Sequence, residues 1–138
     1  MRKPINILLV EDDQLDQHEV QRILDKKGIL YRIRIAKNGE EGLRILRETN
    51  GQQGQERPDV ILLDLNMPKM NGFEFLKELR SDVRFIDMRV FVLTTSDDKD
   101  DKAAARNFNV SGFITKPLKL ESPSSIDAFN LMIDLMNL

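Results

Sequence analysis

The chain is predicted to fold as an α/β protein, a five-stranded parallel sheet of order 2-1-3-4-5 flanked by five helices. Three observations lead there. Short aliphatic runs such as Ile7-Leu8-Leu9-Val10 and Val60-Ile61-Leu62-Leu63 suit strands covered on both faces. Strand patterns alternate with longer stretches whose apolar residues recur at helical spacing. Parallel strands in such an alternation need right-handed crossovers, which lay helices on both faces of the sheet.

Each element follows from its own pattern. Ile7-Leu8-Leu9-Val10 is the first strand and ends in Glu11-Asp12-Asp13. Leu15, Val20, Ile23 and Leu24 mark a helix from Leu15 to Lys27, which Gly28 stops. Tyr31, Ile33 and Ile35 alternate with Arg32 and Arg34, as expected of a strand with one wetter face near the sheet edge. Asn38 and Gly39 turn the chain into a helix from Glu40 to Glu48, and the polar stretch from Asn50 to Arg57 is the best insertion candidate. After Pro58, the third strand runs from Asp59 to Leu63 and terminates at Asp64; Asn66-Met67-Pro68 then leads to a helix containing Phe73, Leu76 and Leu79. Val90-Phe91-Val92-Leu93 forms the fourth strand and ends in Thr94-Thr95-Ser96. A charged, alanine-bearing helix follows, from about Asp98 to Phe108. Gly112-Phe113-Ile114-Thr115 is the last strand before Lys116-Pro117, and Ile126, Phe129, Met132, Ile133 and Met136 give a final helix its packing face.

The 138 residues are expected to form a single domain with no output domain after the last helix, large enough to bury a core without disulfides or structural metal. The 21 basic and 23 acidic residues leave a formal charge of -2, so neither direct nucleic-acid binding nor attraction to an anionic membrane is expected. Cysteine is absent, which excludes thiolate nucleophiles and cysteine-ligated metals. No apolar run approaches a bilayer span or a signal-peptide core, and a cytoplasmic location is expected.

In a sheet of this order, functional groups collect beyond the carboxyl ends of the strands, beside the switch point between the first and third. That rule brings Glu11, Asp12, Asp64, Thr94 and Lys116 to one rim. Three crowded carboxylates repel one another unless a cation neutralises them, and an all-oxygen set suits Mg2+. Lysine offers a point charge and threonine a hydroxyl donor to phosphoryl oxygens, and a carboxylate can act as the nucleophile that forms an acyl phosphate. Asp64, at the end of a rigid strand, is the best candidate. Taken singly, Asp12 or Asp13 reads as a helix N-cap, Thr94 as a strand-end hydroxyl and Lys116 as a solvated charge; the joint pattern outweighs these readings.

Val10-Glu11-Asp12-Asp13, Leu62-Leu63-Asp64-Leu65-Asn66-Met67-Pro68, Leu93-Thr94-Thr95 and Phe113-Ile114-Thr115-Lys116-Pro117 resemble the response-regulator receiver family over essentially the whole chain. The resemblance implies a flavodoxin-like, CheY-like stand-alone receiver of a bacterial two-component system. It implies that Asp64 accepts a phosphoryl group from a sensor histidine kinase or phosphotransfer protein. It further implies that Asp12 and Asp64 ligate Mg2+ directly, that Asn66 contributes its backbone carbonyl and that Glu11 acts through metal-bound water. Thr94 and Lys116 then hold phosphoryl oxygens, Phe113 takes the aromatic switch position, and Lys116-Pro117 is a cis peptide. The signal passes to a downstream protein; a homodimer is compatible with this picture. Two features depart from the common pattern: phenylalanine lacks the hydroxyl of tyrosine-bearing relatives, and the loop from Asn50 to Arg57 is long. The second resembles receivers partnered with bacterial phytochrome kinases.

Other readings carry less. His18 stands on a helix without a metal-ligand pattern and is expected at the surface, Met67, Met70, Met132 and Met136 read as packing or loop residues, and the cluster from Asp97 to Asp101 lacks the glycine and terminal glutamate of a calcium loop. An enzyme with an aspartyl-phosphate intermediate would need a substrate-enclosing cap, and a flavin-binding loop would not carry Glu11-Asp12-Asp13. A phosphorylation-independent binding module is the remaining alternative, and the intact acidic set speaks against it.

Overall fold

The computed structural model describes residues 4–49, 57–67, 70–95 and 99–116, together with residues 130, 132 and 134. Five strands, β1 (Ile5–Val10), β2 (Tyr31–Ala36), β3 (Val60–Asp64), β4 (Arg89–Thr95) and β5 (Gly112–Lys116), alternate with helices α1 (Gln14–Lys26), α2 (Gly39–Thr49), α3 (Gly72–Ser81) and α4 (Lys99–Arg106). The sheet is parallel and its order is β2-β1-β3-β4-β5, as predicted. Among the described residues no helix is long and apolar enough to cross a membrane.

Strand periodicity sorts the core into two layers. Leu8, Val10, Ile61, Leu63, Val90 and Val92 face one way and pack with Leu43 and Leu46 of α2 and Phe75, Leu76 and Leu79 of α3. Ile7, Leu9, Val60, Leu62, Phe91 and Leu93 face the other way and pack with Val20, Ile23 and Leu24 of α1. Full burial of each such aliphatic side chain contributes roughly 1.5–3 kcal/mol before entropy is counted. Central β3 is buried throughout, whereas edge strand β2 exposes Arg32 and Arg34 and half-buries Tyr31, Ile33 and Ile35, the predicted alternation.

Local chemistry fixes the helix ends. Asp13 caps α1, its side chain accepting from the backbone of Leu15 at 2.8 Å and Asp16 at 3.2 Å. Beyond the other end of α1, Gly28, read from the sequence as the stop, takes a positive φ of 66°, a left-handed conformation that favours glycine. Asn71 and Glu74 form a capping box at the start of α3.

Several boundaries differ from the sequence reading. β1 begins two residues earlier than Ile7, because Ile5 and Asn6 also pair with β2. Asp64 and Lys116 are the last residues of β3 and β5 and Thr94 the last but one of β4, rather than following their strands, since the ladders continue through Asp64 with Leu93, Thr94 with Thr115 and Thr95 with Lys116. Asp59 lies outside β3 and instead accepts from the Asn6 backbone at 2.9 Å. The fourth helix stops at Arg106, short of Phe108. Residues 130, 132 and 134 are helical and Met132 is buried against the α1 layer. Ile126, Phe129, Ile133 and Met136, residues 50–56 and the Lys116-Pro117 peptide lie outside the described residues.

Candidate functional site

The carboxyl ends of β1, β3, β4 and β5 open onto one cleft of about 300 Å³, lined by Glu11, Asp12, Asp13, Asp16, Asp64, Asn66, Thr94 and Lys116. Glu11, Asp12, Asp64, Asn66, Thr94 and Lys116, the residues expected to hold metal or phosphoryl oxygens, all share this lining. Phe113 is not among the lining residues. It is half-buried on β5, packed on the α2/α3 layer, with the Arg106 guanidinium of α4 over its ring at 5.4 Å from the centroid.

Rigid strands hold the two innermost carboxyls. Asp64 is 6% exposed and Glu11 0% exposed, Asp12 next to it being open to solvent. The backbone N–H of Asn66 donates to Asp64 Oδ1 at 3.2 Å, turning the loop after β3 back onto its own carboxylate. Glu11 is held from several sides: its N–H donates to the Ala36 carbonyl at 2.9 Å, its carbonyl accepts from Gln17 Nε2 at 2.7 Å, and its Oε2 accepts from the Asp13 N–H at 3.2 Å. Asp13 thus serves the site by capping α1 and steadying Glu11.

Lys116 crosses the cleft from β5. Its Nζ lies 2.7 Å from Glu11 Oε1, 2.8 Å from Asp16 Oδ2 and 3.5 Å from Asp64 Oδ2. Burial works against the ammonium, but hydrogen bonds to Asp16 and Glu11 and the charges of Asp64 and Glu11 outweigh it and raise its pKa above the ordinary lysine range. Burial pushes the Glu11 carboxyl up to about 8, and adjacent Asp64 adds to that rise while Lys116 opposes it. Five carboxyls, those of Glu11, Asp12, Asp13, Asp16 and Asp64, thus line the cleft with the Lys116 ammonium, and burial together with Asp64 makes the innermost, Glu11, hard to ionise.

Cation chemistry follows from this excess. Carboxylate oxygens of Glu11, Asp12 and Asp64 lie within 4.8 Å of one another. The donors are all oxygen and include no nitrogen or sulfur, which fits Mg2+, a hard ion bound through one or two carboxylates and retained waters.

Asp16 was missed by sequence reasoning. Its signal was present, since it stands three residues after the capping Asp13 and so in the first turn of α1 at the rim. Its partner Lys116 is 100 residues away, beyond any local pattern. His18 is exposed and Met67 is buried in the core, as expected of each.

Fold and cleft together define a protein that takes a phosphoryl group on a carboxylate and changes state. The profile of the response regulator receiver domain matches residues 7–123, and the chain belongs to that family. Response regulator Rcp1 of Synechocystis sp. is 36% identical over 118 residues, covering 86% of this chain and 80% of that protein. Protein PilH of Pseudomonas aeruginosa is 31% identical over 84% of this chain and 88% of its own length. Among solved structures, the phosphorylated cyanobacterial phytochrome response regulator RcpA superposes with a TM-score of 0.81 at 32% identity, covering 99% of this chain and 97% of that one. The Mn2+-bound form of Rcp1 gives 0.75 at 32% identity, covering 95% and 92%. The chain is accordingly a signalling switch of the two-component type, acting on its own carboxylate rather than turning over a separate substrate.

Proposed function

We propose that Asp64 is the phosphoacceptor, and that the residues around it divide the work of transfer as their placement suggests. The observation that carries this is the position of Asp64 at the end of fully buried β3, 3.5 Å from the Lys116 ammonium and grouped with Glu11 and Asp12. An Asp64 carboxylate oxygen attacks the phosphorus of a phosphohistidine donor, the P–N bond breaks as the P–O bond forms, and the electron pair leaves with the imidazole nitrogen. Asp12 and Asp64 directly, the Asn66 backbone carbonyl, and Glu11 through water would hold Mg2+. When bound, the ion supplies positive charge that offsets repulsion between the carboxylate and the incoming phosphoryl group.

Thr94 and Lys116 receive the phosphoryl oxygens, one through a hydroxyl and one through an ammonium. Movement of Thr94 towards them makes room for Phe113 to turn inwards, away from the Arg106 guanidinium, and this alters the α4–β5 surface offered to a downstream protein. The donor is a sensor histidine kinase or phosphotransfer protein, and the likeness to the phytochrome response regulator RcpA supports a phytochrome-type kinase. A cytoplasmic location belongs to the same reading, because phosphohistidine donors are charged there from ATP.

Incubation with acetyl phosphate, with and without Mg2+, followed by intact mass measurement, tests the assignment. A Mg2+-dependent phosphate adduct is expected on the wild type and none on Asp64→Asn. An adduct that survives the substitution would move the acceptor elsewhere.

A further inference from the structure

We propose that Asp16 is a positioning residue for phosphoryl transfer, the anchor that keeps the Lys116 ammonium beside Asp64 once a divalent cation occupies the site. The inference rests on the role given to Lys116 above. Lys116 Nζ divides its hydrogen bonds between Glu11 at 2.7 Å and Asp16 at 2.8 Å. Glu11 belongs to the carboxylate group suited to the metal, as does Asp64, and Asp16 does not. A divalent ion drawn to Glu11, Asp12 and Asp64 therefore claims two of the three carboxylates that hold the ammonium and repels the ammonium itself. Asp16 alone keeps its charge for Lys116. Its place in the first turn of capped α1 fixes it, and its side chain is 24% exposed, so the pair is only partly screened by water.

The neutral and truncated variants Asp16→Asn and Asp16→Ala should therefore be phosphorylated by acetyl phosphate more slowly at saturating Mg2+. The loss is on the order of three- to tenfold, that of one charge-assisted anchor among several. Asp16→Glu, which restores the carboxylate, should recover to within about twofold. A readout independent of phosphorylation is the Lys116 side-chain ¹H–¹⁵N signal. It should persist on adding Mg2+ to the wild type and vanish on adding Mg2+ to Asp16→Ala, while the backbone spectrum reports an unchanged fold. Retention of that signal in Asp16→Ala, or a wild-type rate in it, overturns the assignment. A wild type that takes no phosphate at all would sink the phosphoacceptor reading as well, and the two failures are thereby distinct.

Discussion

Tyr31 closes a local link between β2 and α1, its hydroxyl donating to Asp25 Oδ1 at 2.9 Å. Burial and that bond to an anion both disfavour the phenolate and push its pKa up from 10.0 to about 12. A group whose acidity is weakened by folding stabilises the fold fully below its unfolded pKa. That contribution drains away as the pH rises through the folded value. The window for Tyr31 is therefore pH 10 to about 12. Since the chain holds 1 tyrosine and 0 tryptophans, phenolate absorbance reports this group alone. Titration should show a midpoint near 12 in the folded protein, moved down towards the ordinary tyrosine value in Asp25→Asn. An unmoved midpoint in the variant would mean that the Asp25 bond contributes nothing. Lys116 contrasts with Tyr31 at this scale: burial opposes ionisation of both side chains, and a nearby carboxylate adds to that effect for the Tyr31 phenol, whose ionised form is an anion, but outweighs it for the Lys116 ammonium, a cation.

At the scale of elements, the join between β3 and α3 decides how firmly the acceptor is held. The Gly72 N–H donates to the Leu65 carbonyl at 3.1 Å, and a Cβ at Gly72 would meet Leu65 Cα at 2.6 Å and the Asp64 carbonyl oxygen at 2.7 Å. Both obstacles are backbone, so neither can swing aside as a side-chain tip would. Gly72→Ala should therefore displace the Asp64-Leu65 backbone, costing about 1–3 kcal/mol in urea unfolding, the usual range for overpacking. It should also slow phosphorylation by acetyl phosphate. A variant of wild-type stability and rate would show that the join has slack. The same region marks the limit of sequence reading. The burial of β1 and β3, the alternation of β2 and the stop at Gly28 were legible because each depends on neighbours within a few residues, and the cap of α1 was narrowed to Asp12 or Asp13. The extension of β4 to Thr95 and of β5 to Lys116 was not, because it arises from pairing between strands that are distant in the chain. Asp16 escaped for the same reason, its meaning residing in Lys116.

For the whole molecule, the two apolar layers supply the stability and the rim at the carboxyl ends works against it. Glu11, Asp12, Asp13, Asp16 and Asp64 line one cleft, and among the described residues Lys116 is the only cationic one that lines it. Charge of one sign concentrated over a buried sheet end is a cost of folding that a bound cation removes, so metal binding and folding are linked. At a hundredfold excess over its Kd, an ion that binds only the folded state stabilises it by about 2.7 kcal/mol. For a chain of this size that is a rise in thermal midpoint of roughly 5–10 °C. Mg2+ should produce that rise and EDTA should abolish it. Asp12→Asn should lose most of it, because Asp12 offers an oxygen to the metal-suited group yet is exposed, so its substitution leaves the core untouched. A full Mg2+ response in Asp12→Asn would place the stabilising ion away from this cleft, and no response in the wild type would mean that the folded and unfolded chains bind the ion equally.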